Sequence, residues 1–205
     1  MFLKYIKLLK LSILLLLFSL PLSLAAQNKG WMPGYVVTIQ GDTFSGFVKK
    51  GNNILSDAKY DSSHGIRFKN SRGIKIYFTP PFVRSYVKGN ERFITYKSKA
   101  GKDVWAVFIK QMVVGPMSLY IYYGEHKSYM YFLKKGGSNF VFVESDNAEL
   151  TFNRIRIKTM MLEYFKECPA VIKKIEDGTY RIYNLRLKDI PLMVEEYNKC
   201  VVSEP

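Results

Sequence analysis

The stretch GYVVTIQGDTFSGFV, residues 34–48, decides the fold. Tyr35–Ile39 and Thr43–Val48 are rich in β-branched and aromatic residues, which suit a pleated, half-buried surface. Gly41 and Asp42 between them carry turn chemistry. Two such runs flanking a short Gly-Asp turn predict a β-hairpin.

The same punctuation repeats outward. Ile66–Lys69 and Ile74–Phe78 flank Asn70-Ser-Arg-Gly73, and Phe82–Val87 and Arg92–Lys97 flank Lys88-Gly-Asn-Glu91. Val104–Ile109 reads as a further strand. Leu119–Tyr123 and Ser128–Leu133 flank Gly124-Glu-His-Lys127, and Phe140–Val143 closes the series. Short strands with regular turns predict an antiparallel β-rich body: a meander, a sandwich or an open barrel. No crossover helices separate the strands, which disfavours a parallel sheet.

After Glu144 the period changes. Ile157, Met161, Tyr164 and Cys168 recur at helical spacing, and this reading ends the first helix at Cys168. Pro169 suits the first turn of a second helix lined by Val171, Ile172 and Ile175, with Gly178 as its stop. Asp189 can cap a third, with Ile190, Val194, Tyr197 and Val201 on one stripe. The fold class expected is α+β, with about three C-terminal helices packed on the sheet. The chain divides into a leader, 1–26, and one exported domain, 27–205, β-rich over 27–146 and helical over 147–205.

The leader reads MFLKYIKLLKLSILLLLFSLPLSLAA. Lys4, Lys7 and Lys10 precede an uncharged run, Leu11–Ala26. As a helix that run spans about 24 Å, short of a hydrocarbon core of about 30 Å. Pro21 interrupts it, and Ser23, Ala25 and Ala26 are small enough for signal peptidase. The pattern predicts a secretory signal cut after Ala25 or Ala26, with an uncleaved N-terminal anchor as the alternative. Periplasm or outer cell surface is the destination expected.

Of the 205 residues, 48% are hydrophobic, 23% charged and 15% aromatic, including 15 Tyr and 14 Phe. This composition excludes intrinsic disorder and a multi-span helical membrane protein. Charge is uneven. Residues 27–115 hold 15 basic and 5 acidic side chains; residues 116–205 hold 13 and 12. The basic half points to an anionic partner, set against lysines that merely discourage pairing at strand edges. Export argues against nucleic acid.

Cys168 and Cys200 are the only cysteines, 32 positions apart. In an oxidising compartment their simplest state is a disulfide, worth about 3.7 kcal/mol by loop entropy. A metal site and a catalytic thiol are the alternatives. His64 and His126, the only histidines, lack ligand spacing to either cysteine.

Chemistry-bearing motifs are sparse. Nucleophile elbows, phosphate loops, dinucleotide fingerprints and zinc helices are not found. Asp61-Ser-Ser-His64-Gly65 reads as a polar turn, because adjacent residues rarely face each other. Glu125-His126 reads as a solvated hairpin tip, and Glu195-Glu196 as an exposed helix face. No catalytic residue, cofactor or metal site is assigned. Tyr120, Tyr122, Tyr129 and Tyr131 cluster in one hairpin and form a possible binding face, an exposed ladder for sugar rings or a partner protein. The competing reading is aromatic packing across strands.

Residues 34–46 resemble the GY[IV]VTxxGDTxxG opening of a group of exported proteins from Bacteroidota-type bacteria. Ile66–Lys69, Tyr77–Pro80, Val113–Gly115 with Leu119-Tyr120, Glu167-Cys-Pro169 and Tyr197-Asn-Lys-Cys200 extend the similarity over nearly the whole mature chain. Glu167 departs from the Asp expected before Cys-Pro. The resemblance implies export and a β-then-α order, and transfers no activity. The function expected is a non-enzymatic binding or structural module of the cell envelope. Its expected partner is an anionic envelope component or another envelope protein. The alternative is an enzyme on envelope glycan or lipid whose groups converge only in space.

Overall fold

The computed structural model describes residues 30–50, 64–100, 103–123, 129–144, 151–180 and 189–203. The leader 1–26, Asp61 to Ser63, Glu125 and His126 lie outside the described residues. Ten strands form one antiparallel sheet: β1 (Met32–Thr38), β2 (Thr43–Lys50), β3 (Ile66–Lys69), β4 (Lys75–Phe78), β5 (Val83–Lys88), β6 (Glu91–Ala100), β7 (Asp103–Val113), β8 (Met117–Tyr123), β9 (Tyr129–Lys135) and β10 (Val141–Glu144). Three helices follow: α1 (Thr151–Tyr164), α2 (Pro169–Glu176) and α3 (Asp189–Ser203). The antiparallel β-rich body and the helical ending are therefore both present. Only the first helix ends early: it stops at Tyr164, and Cys168 is the N-cap of α2 instead. Pro169 explains this, because its ring disfavours helical backbone at the residue before it.

The deciding stretch is the β1–β2 hairpin, with Gly34 opposite Gly46 and Val36 opposite Phe44. In its turn the Gly41 N–H donates to the Thr38 carbonyl at 3.1 Å, and the Thr38 N–H donates to the Asp42 carbonyl at 2.9 Å. Gly41 has φ 103°, a backbone that only glycine adopts freely.

Strand order is β10-β9-β8-β7-β6-β5-β1-β2-β3-β4. The meander is broken once, where β5 pairs with β1 rather than β4. From β4 to β5 are four strand spacings, about 19 Å in a flat sheet. Phe78 and Val83 are five residues apart, about 17 Å fully extended. Part of that link, Pro80–Phe82, is a 3-10 turn and shorter still. The sheet must therefore curl, and the turn packs back against β5, β6 and β7.

The paired glycines allow the curl. A Cβ on Gly34 would lie 1.9 Å from the Val87 carbonyl oxygen, and one on Gly46 would lie 2.4 Å from the Lys69 carbonyl oxygen. Neighbouring backbones enter the space where side chains would stand.

Alternation gives the sheet two faces. Inside the curl, Val36, Val48, Ile66, Phe68, Val83, Tyr86, Phe93 and Phe108 form one core. Tyr86 stacks on Phe93 at 4.4 Å between ring centroids. Toward β10 the same face carries Leu119, Ile121, Tyr131, Leu133 and Val143, which pack with Met161 and Phe165, with Val171 and Ile175, and with Ile190, Met193 and Val194. The helical stripes close over this part, each fully buried large side chain contributing about 1.5–3 kcal/mol. On the opposite face Val107, Ile109, Tyr120, Tyr122 and Phe132 form a third cluster.

Candidate functional site

Register builds the site on the outer face of β2, β3 and β4. Lys49 pairs with Arg67, Phe47 pairs with Lys69, Arg67 with Tyr77 and Lys69 with Lys75. Paired residues share a face, so Lys49, Arg67, Lys69 and Lys75 are contiguous there, beside Phe47 and Tyr77. Arg67 and Lys75 are exposed, and Lys49 and Lys69 are half-buried. The Lys69 ammonium lies 5.0 Å from the Trp31 ring centroid and 5.2 Å from that of Phe47. Tyr77 crosses Gly65, where any Cβ would meet the phenol oxygen at 2.0 Å.

Two like-charged pairs thus stand directly opposite, Lys49 with Arg67 and Lys69 with Lys75. Such pairs destabilise a sheet. Strands β1–β4 contain no Asp, Glu, Asn or Gln. The ion pairs among the described residues join other groups, such as Glu91 with Lys110 at 2.7 Å. An anion laid on this face would relieve the repulsion, with a geometry the strands already fix.

These residues escape a linear reading because they are scattered from 49 to 75 without a basic run. The signal that finds them is odd-numbered alternation across the hairpin of residues 66–78, where Arg67, Lys69, Lys75 and Tyr77 fall on one side.

The tyrosine face is corrected. Tyr120 pairs with Phe132 and Tyr122 with Met130, whereas Ile121 pairs with Tyr131 and Tyr123 with Tyr129. Tyr120 and Tyr122 therefore lie on the sheet face opposite to Tyr129 and Tyr131, and no single ladder exists. Tyr120 is 7% exposed, Tyr122 5% and Tyr131 3%. Tyr120 meets Phe140 edge-on at 5.5 Å, and Tyr122 meets Trp105 at 5.4 Å. Packing across strands takes these rings. The side chain of Tyr129 lies outside the described residues.

Cys168 and Cys200 form a disulfide with their Cα atoms 5.9 Å apart. It ties the start of α2 to the last turn of α3. Around it the short sequence elements converge. The Glu167 carboxylate accepts from the Lys135 ammonium at 2.6 Å and from the Tyr197 hydroxyl. The hydrogen bond from Lys135, then that from Tyr197, holds the Glu167 carboxyl below its ordinary range. Burial, then the hydrogen bond to Glu167, pushes the Tyr197 phenol up. Glu196, predicted as exposed, is half-buried instead. It accepts from Lys174 at 2.7 Å and from the Tyr180 hydroxyl, and these two hydrogen bonds, in that order, lower its carboxyl. Glu195 is exposed.

Asn198 acts as a backbone mimic. Its Oδ1 accepts from the Met117 N–H at 2.8 Å, and its Nδ2 donates to the Met117 carbonyl at 2.9 Å. Gly115 makes room, because a Cβ there would stand 2.4 Å from Nδ2. An open groove of about 520 Å³ lies here, lined by Val113, Val114, Pro116, Glu195, Lys199 and Val202 among others. Its amide is already committed to backbone.

His64 is exposed beside the buried Gly65. Among the described residues no three His, Cys, Asp or Glu side chains converge as a metal site, and no helix is long and apolar enough to cross a membrane. Comparison with protein-family models, curated proteins and solved structures finds no match for the chain.

Proposed function

We propose that the protein is an exported, non-enzymatic envelope module that docks an anionic component of the periplasm or outer surface through the outer face of β2–β4. The observation carrying this reading is the pair of like-charged cross-strand contacts, Lys49 with Arg67 and Lys69 with Lys75. A sheet that served only as a scaffold gains nothing from them. The leader sequence and the Cys168–Cys200 bridge support export. The resemblance to Bacteroidota-type exported proteins supports the same destination.

The test is co-sedimentation with envelope fractions at low and high salt. Wild type pellets at low ionic strength and is released as the Debye length falls from about 10 Å at 0.1 M to about 3 Å at 1 M. R67E/K75E stays in the supernatant at both. Both positions are exposed, and each reversal replaces a like-charged cross-strand pair with an opposite-charged one, so its melting temperature is that of wild type or higher. Equal pelleting of the variant and wild type would refute the reading.

A further inference from the structure

We infer that the anionic partner is a lipid bilayer surface, met edge-on by the hairpin of residues 66–78. This rests on the reading just given and names the chemistry of its partner. The hairpin, IRFKNSRGIKIYF, forms the end of the sheet, because among the described residues β4 has a neighbour only at β3. It carries Arg67, Lys69, Arg72 and Lys75 and no acidic residue. From Ser71 to Tyr77 every residue is exposed.

Apolar side chains flank those cations: Tyr77 shares their face, whereas Ile76, paired with Phe68, projects from the other side of the same edge strand. Ile74 is 54% exposed, Ile76 39% and Tyr77 53%. Water-exposed isoleucines on an edge strand cost solubility and invite edge pairing. At a membrane interface the same residues gain, since apolar groups enter the headgroup boundary while basic groups meet lipid phosphate. Trp31, beneath the Lys69 ammonium, adds an indole of the kind favoured at that depth.

An acidic polysaccharide is the rival polyanion. Sugar hydroxyls are recognised by acceptors as well as donors, usually carboxylates and amides. Strands β1–β4 supply neither type of side chain, and the Asn70 amide between β3 and β4 already accepts from the Arg72 and Ile74 N–H groups. The hairpin offers cations and hydrocarbon, which is the chemistry of an anionic bilayer.

The test uses the full exported chain and vesicles of one part phosphatidylglycerol to two parts phosphatidylcholine, with pure phosphatidylcholine as the control. Each basic residue near the surface is worth about 1 kcal/mol, or about fivefold in partitioning. R67E/K75E therefore loses binding by at least about a hundredfold. Ile74→Ser loses about tenfold at unchanged charge. In Trp105→Phe, which leaves Trp31 as the sole tryptophan, brominated lipid quenches the fluorescence on binding. Equal partitioning to both vesicle types, or unchanged binding by Ile74→Ser with no quenching, overturns the inference. Retention on an acidic polysaccharide without vesicle binding also overturns it, while leaving the anion-docking face intact. If R67E/K75E matches wild type on envelope fractions, the underlying reading falls as well.

Discussion

Glu167 shows how one side chain joins three elements. It precedes the bridge cysteine, takes a proton donor from β9 through Lys135, and takes another from α3 through Tyr197. Its lowered carboxyl means that the folded state prefers the charged form. The stability it contributes is present above the ordinary glutamate range, near 4.3, and is lost as pH falls through the lowered folded value. Glu167→Gln keeps an acceptor for Tyr197 and removes only the charge. Its melting temperature is expected to fall below wild type at pH 7 and to converge with it as pH falls through the lowered folded value. The gap is small, because the carboxylate is half exposed and such pairs contribute under about 1 kcal/mol. A gap independent of pH would show that packing, not charge, links these elements.

At the level of single residues the sequence was partly readable. Cys168 with Cys200 needed only count and compartment. Glu167, Asn198 and Gly115 were visible as parts of short motifs, but their meeting was not, because 81 positions separate Asn198 from Met117. Which tyrosines share a face was not readable for a different reason. Alternation sorts residues within one strand, whereas the face shared with the neighbouring strand depends on hairpin register. That register belongs to the pairing of β8 with β9, which neither strand's own sequence discloses.

Among elements, the hairpins were legible and the curl was not. Each β-rich run with its turn maps onto a strand pair, because turn chemistry is local. The break in the meander between β4 and β5 is nonlocal, and only Gly34 and Gly46 mark it in the sequence. The glycines give a direct prediction. Gly34→Ala drives a methyl group into the Val87 carbonyl, a backbone atom that moves only with its strand. The expected loss is about 1–3 kcal/mol or more by overpacking, read as a lower melting temperature with the helical content retained. An alanine variant as stable as wild type would place the curl elsewhere. The helices were legible from their stripes, and the one misplaced end follows from Pro169.

Across the molecule, charge and architecture divide together. The half rich in lysine and arginine is the curled end of the sheet, and the balanced half is the helix-covered end. In the covered half three acidic residues are engaged with nearby cations, Glu163 with Lys166, Glu167 with Lys135 and Glu196 with Lys174. At the outer face of β2–β4 the cations meet one another. That contrast is what a chain built as a rigid holder for one docking surface would show. The most direct measurement is lysine acylation, read by peptide mass, on protein bound to envelope fractions and on free protein. Lys49, Lys69 and Lys75 are expected to lose reactivity on binding, while Lys166 and Lys173, exposed at the helical end, keep it. Protection of Lys166 and Lys173 with Lys49, Lys69 and Lys75 still reactive would contradict the docking face.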